Sequence, residues 1–130
     1  MPVPTMRRDR VDDLHDKAVR RLVAAHRRRR DERLVLAVRF DQDDSTGDVH
    51  LLEVLDRFPG GDEDELLVTE FAPSASLIIV GKLHLVLGSP AQVLSALKRG
   101  DAVTAAVQGG AVVFDDGSRE AARLKKELGL

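Results

Sequence analysis

The chain has no cysteine, no tryptophan and no tyrosine among its 130 residues. Without thiols, neither a disulfide framework nor a thiolate metal site can be built. Phenylalanine, present four times, is the only aromatic side chain, so few rings are on hand to stack bases. No apolar run approaches the ~20 residues of a membrane span. The opening MPVPTMRRDR also lacks the apolar segment of a secretory signal, and a cytoplasmic protein with no membrane partner is expected.

What is present describes an ordinary globular chain. Apolar residues make up 43% of it, which argues against global disorder. The length fits a single domain spanning 1–130, with residues 1–8 as a loose, proline-bearing terminus. Arginine outnumbers lysine fifteen to five, the usage of a GC-rich bacterial genome.

The net charge of −2 conceals a segregation. Residues 1–40 carry twelve Lys/Arg against six Asp/Glu, residues 41–75 one against eleven, and residues 76–130 seven against five. A basic element followed by an acidic stretch can neutralise itself within one subunit or across a dimer. The competing reading is two solvated faces, since exposed pairs contribute only ~0–1 kcal/mol each.

From Asp9 to about Asp31 the spacing is helical: Val11, Leu14, Ala18, Leu22 and Ala25 recur at three and four residues, widened by Val19 and Val23. Asp12, Asp13 and Asp16 crowd its start, and Arg27, Arg28, Arg29 and Arg30 its end, as the helix dipole favours. The dipole accounts for the arginine run structurally. A nucleic-acid patch is the functional alternative, disfavoured because no aromatics interleave the run. His15 and His26 fall at the border of the apolar stripe and read as boundary residues.

Leu34 to Phe40 reads as a central strand, and the carboxylate-rich 41–48 as a turn. Val49 to Phe58 reads as a second strand whose polar residues His50, Glu53, Asp56 and Arg57 do not alternate, which suggests a bulge or a partly helical end. After the turn at 59–65, Leu66 to Phe71 is a third strand, and Leu77 to Val80 runs through Gly81-Lys82 into Leu83 to Leu87. That Gly-Lys pair is a hairpin turn or a bulge.

The most legible stretch runs from Leu83 to Gly117. After the strand, Ser89 and Pro90 stand at the N-cap and first position of a helix carrying Val93, Leu94 and Leu97. Gly100 closes it, Asp101 caps a second short helix, and Gly109-Gly110 lead into the strand Ala111 to Phe114. Ser118 caps a last helix whose stripe is Ala121, Leu124 and Leu128. Strands grouped before helices predict an α+β domain. Its sheet is mixed or antiparallel, a long helix precedes it, further helices follow it, and the helices pack on one face.

The unit from Leu83 to Gly117 resembles the C-terminal part of minimal nucleotidyltransferase-like domains of the DNA polymerase β superfamily. The pieces that carry the likeness are the strand at 83–87, Ser89-Pro90, Gly100-Asp101, Gly110, the strand Val112–Phe114 and the acidic turn Asp115-Asp116. About half of the chain fits well and the rest by order of elements. The resemblance implies phosphate grip by a Gly-Ser pair after the first strand, where this chain has Phe40-Asp41-Gln42 and an acidic loop with Asp43 and Asp44. It also implies an Asp-x-Asp that holds two Mg²⁺ ions, where this chain has Asp48-Val49-His50, and a third carboxylate for which Glu70 is the candidate, with His84 the other polar residue nearby. The active site expected from the resemblance is therefore degenerate, and imidazole is a poor ligand for hard Mg²⁺.

Three readings follow. The first is a non-catalytic interaction module working through a homodimer or protein partner, as minimal domains of this family do in toxin–antitoxin arrangements, with no cofactor. The second is a divergent nucleotidyltransferase using Asp48, His50 and Glu70 with a nucleoside triphosphate and Mg²⁺. The third is nucleic-acid binding through Arg27, Arg28, Arg29 and Arg30. His50 and His84, each one residue into a strand, would approach each other if those strands are neighbours. With Asp48 or Glu70 they could form a Zn²⁺ or Mn²⁺ site, and two hydrogen-bonded strand-end histidines are the plainer alternative.

Overall fold

A computed structural model describes residues 16–28, 32–41, 49–57, 67–71 (backbone only) and 83–130. The first of these segments is helical and is called α1 (residues 16–28). Four strands are interrupted by two helices before the last strand and helix: β1 (Leu34–Phe40), β2 (Val49–Leu55), β3 (Leu67–Phe71), β4 (Leu83–Gly88), α2 (Pro90–Lys98), α3 (Ala102–Val107), β5 (Ala111–Asp115) and α4 (Arg119–Leu128). The predicted α+β class, mixed sheet, preceding helix and following helices are all present. The terminus at 1–8, the turns at 42–48 and 59–65, and the segment 77–82 lie outside the described residues.

Among the described residues the strands form one five-stranded sheet in the order β3-β4-β2-β1-β5. β2 pairs parallel with β4, and the other neighbours are antiparallel. β2 is the middle strand and is buried at every position. Its non-alternating pattern therefore records burial on both faces rather than a helical end. The irregularity is in the register with β1, which shifts between Leu34 and Leu36.

Two apolar layers flank the sheet. Ala18, Val19 and Val23 of α1 pack with Val49, Leu51, Leu55, Leu83 and Leu85. On the other side, Val93 of α2, Val107 of α3 and Ala121, Leu124 and Leu128 of α4 pack with Val35, Leu52, Val54 and Val86. The expectation that all helices share one face is thus corrected: α1 covers one face and α2 to α4 the other. The near-continuous apolar runs of β2 and β4 require it, because a strand apolar on both sides must be covered on both. Burial of each Leu or Val is worth ~1.5–3 kcal/mol, so neither layer is dispensable.

The C-terminal caps form as the sequence indicates. Ser89 accepts from Gln92 N while Gln92 Oε1 accepts from Ser89 N, closing a capping box on α2. Asp101 caps α3, and Ser118 caps α4. Gly100, between the two short helices, has φ +69°, which favours glycine.

Candidate functional site

The register brings the sequence candidates into one row across the sheet. Glu70 of β3 stands opposite His84 of β4, His84 opposite His50 of β2, and His50 opposite Phe40 of β1. Directly opposed residues share a face, so Phe40, His50 and His84 lie on the side covered by α2 to α4. His50 and His84 are stacked, with ring centroids 4.4 Å apart and planes inclined by 10°. Phe40 lies tilted against the other side of His50, 5.4 Å between centroids. The two histidines do approach each other, and they do so as neighbours in a ladder of rings.

His50 is only 3% exposed, Phe40 is buried and His84 half-buried. A metal bound by an imidazole nitrogen lies in the plane of that ring. Two nearly parallel stacked rings have no common in-plane point within metal-bond reach. A shared ion would therefore require a different rotamer of one ring. Among the described residues no group of three His, Asp or Glu is arranged to hold a metal. Asp48 lies outside the described residues, and Glu70 is placed by its backbone register alone.

Beside this row is a cleft of about 300 Å³ lined by Arg39, Phe40, Asp41, Gly109, Gly110 and Ala111. It opens where β1 ends and the turn after α3 enters β5. Gly110 sits tight against β1: a Cβ there would lie 2.6 Å from the Arg39 carbonyl oxygen and 2.8 Å from Val38 Cγ1. The Gly-Gly step of the sequence is thus a close approach that lets β5 pair with β1, and it forms one wall of the cleft.

The arginine run is only partly described. Arg27 places its guanidinium 4.2 Å from the centre of the Phe114 ring on β5, a cation–π contact, while Arg28 is exposed. Arg29 and Arg30 lie outside the described residues. Arg20, on the same side of α1 as Arg27, reaches the Val113 carbonyl at 3.4 Å and pairs with Asp16 at 2.8 Å. The register between β1 and β5 shifts at this point, between Ala37 and Val38. Edge strand β5 is thus blunted by an irregularity and by a cation on its carbonyl.

The feature that sequence reasoning missed lies under α1. Glu53, in the middle of β2, is fully buried, and His26 Nδ1 lies 2.7 Å from both of its carboxylate oxygens. His26 is a boundary residue by exposure, at 21%, but its inner edge serves the carboxylate. The signal was available: a carboxylate in a strand apolar on both sides needs a partner, and His26 is on the inward side of the helix beside it. At the opposite end of the sheet, Arg33 reaches both Asp116 (3.2 Å) and Glu120 (3.3 Å). Asp115 is held below the usual carboxylate range by the Lys125 ammonium and then by the Gly117 N–H. No helix among the described residues is long and apolar enough to cross a membrane. Compared with known proteins, the chain matches no family model, no curated protein and no solved structure.

Proposed function

We propose that this chain is a non-catalytic interaction module on a nucleotidyltransferase-like scaffold, acting in the cytoplasm through self-association or a protein partner. The observation that carries the reading is the environment of His50. The resemblance puts the second metal-binding carboxylate at this position. The chain has there an imidazole 3% exposed, packed between Phe40 and His84. Two-metal phosphoryl transfer needs carboxylates open to the ions and the triphosphate, and this position is filled with ring packing instead. An acidic segment follows β1 where a phosphate grip would stand, which further supports the reading.

The test is a thermal-shift titration with the four nucleoside triphosphates, each with and without Mg²⁺ and Mn²⁺. A ligand at ~100 times its dissociation constant stabilises a fold by roughly 2.7 kcal/mol, several degrees at this size. The interaction module gives no metal-dependent shift with any nucleotide. A shift with one of them defeats it and favours a divergent nucleotidyltransferase. The cleft that shares Phe40 with the histidine row is the observation in favour of that second reading.

A further inference from the structure

Among the described residues Glu53 is the only carboxylate that is fully buried, and it sits in the middle of β2. Its neighbours across the sheet are Ala37 of β1 and Leu87 of β4, whose side chains carry no polar group. His26 of α1 supplies one, with Nδ1 standing 2.7 Å from each carboxylate oxygen. A carboxylate accepts and does not donate, so the proton is on Nδ1 and the neutral ring keeps its lone pair on Nε2. His26 makes no other hydrogen bond or ion pair among the described residues, and its side chain is 21% exposed.

A carboxylate that fixes the tautomer of an imidazole and leaves Nε2 bare prepares that nitrogen as a metal ligand, a general base or a nucleophile. A metal needs further ligands, and among the described residues no three His, Asp or Glu converge. A general base needs a substrate held beside it, and the cleft at the end of β1 is lined by other residues. A nucleophile that carries a group on its own ring needs neither. The local charge suits an anionic group, because Arg27 and Arg28 follow directly and are exposed. His50 and His84 are stacked on each other instead, and His50 is buried.

We infer that His26 Nε2 accepts a phosphoryl group from a donor of the phosphoramidate or acyl-phosphate class, with Glu53 as the positioning residue. The Nε2 lone pair forms the N–P bond while the bond from phosphorus to the leaving group breaks. With phosphoramidate, ammonia departs with that bonding pair. The ring becomes cationic as the N–P bond forms, and the Glu53 carboxylate, bonded to Nδ1–H, meets that charge. The transferred group puts negative charge on α1 next to Arg27 and Arg28, a modification that alters what this surface docks. Acceptance of the group requires no partner protein and stands apart from the interaction-module reading.

The experiment incubates the full chain with phosphoramidate, folded and again unfolded in urea, and locates phosphate on the four histidines by mass spectrometry. In the folded chain His26 should be labelled first, and at least about tenfold faster than in urea. The adduct should be labile to acid and stable to alkali, as a phosphorus–nitrogen bond is. Glu53→Gln keeps the shape and loses the charge, and should slow labelling of His26 at least about tenfold. His26→Gln should remove this adduct and leave the other histidines as they were. If Glu53→Gln unfolds the chain, all four histidines react at their urea rates, and the ratio of folded to urea rates in the parent decides. Three results overturn the inference: His26 no faster folded than in urea, another histidine labelled first, or a folded Glu53→Gln chain that reacts at the parental rate. A metal-dependent nucleotide shift in melting defeats the interaction-module reading and leaves these rates unchanged.

Discussion

His26 and Glu53 join α1 to the middle of the sheet, the ring nitrogen Nδ1 standing 2.7 Å from each carboxylate oxygen. The carboxylate is wholly buried, and the ring closes the gap between helix and strand. Removing one member of a buried hydrogen-bonded pair costs more than the pair itself contributes, because the other is left in the interior without its partner. His26→Ala should lower unfolding free energy by about 2–3 kcal/mol. With Glu53→Gln in the background, the same change should cost much less, giving a coupling energy of about 1 kcal/mol or more. Urea unfolding of the four proteins measures it. Effects that add to within ~0.5 kcal/mol would mean that the two side chains act independently.

The histidine ladder gives a sharper test of whether an active site can be restored. If His50 is a packing residue, His50→Asp recreates the sequence pattern of the resembled family and damages the protein. A carboxylate at a position 3% exposed, between Phe40 and His84, pays for its desolvation. The expected loss is about 2 kcal/mol or more with no gain of nucleotide binding. Thermal melts with and without nucleotide and Mg²⁺ measure both. A stable His50→Asp variant that binds a triphosphate would restore the enzyme reading.

These two sites mark where the sequence is readable and where it is not. Ser89, Asp101 and Ser118 announce their helices because capping is local chemistry, written within a few residues. The strand starts at Leu34, Val49, Leu83 and Ala111 were legible as well, but the second strand, expected to run to Phe58, ends at Leu55. The distribution of helices over two faces was not, because it depends on which strand becomes central. Strand β2 reads as irregular alone and as doubly buried once it lies between β4 and β1. The meeting of His50 with His84 was conceivable from their positions in strands, but their stacking depends on a parallel register that no local pattern encodes. Glu53 was passed over because its partner is 27 residues away, on another layer.

Gly110 offers a prediction about the cleft wall. A methyl group there would meet two backbone oxygens, Arg39 O at 2.6 Å and Val107 O at 3.0 Å, as well as the Val38 side chain. Backbone cannot rotate away as a side chain can, so β5 must shift from β1. Gly110→Ala should cost about 2–3 kcal/mol. Gly100 is the control: its φ is +69° but nothing lies within 4 Å of the added carbon, so Gly100→Ala should cost only about 1 kcal/mol. Denaturation midpoints rank the two, and a Gly110→Ala protein as stable as Gly100→Ala would show that the close approach is relieved without cost.

The pairing of Asp115 with Lys125 fixes how acid should act on the junction between β5 and α4. Asp115 ends the strand, and its carboxylate accepts from the Lys125 ammonium on the helix and from Gly117 N at 2.8 Å. Both bonds favour the ionised form and hold the group below its ordinary value of 3.8. A carboxylate with a depressed folded-state value contributes stability in full above its unfolded value, and that contribution is lost as the pH falls through the folded value. Both side chains are partly exposed, so the contribution at neutral pH is at most about 1 kcal/mol. Lys125→Met removes the ammonium while keeping most of the packing length. The gap between parent and variant in urea unfolding should be steady from neutral pH down to about pH 5, then narrow through the acid range below the ordinary carboxylate value. A gap that stays constant to the acid limit would mean that Lys125 stabilises α4 by packing alone, with no part played by the charge on Asp115.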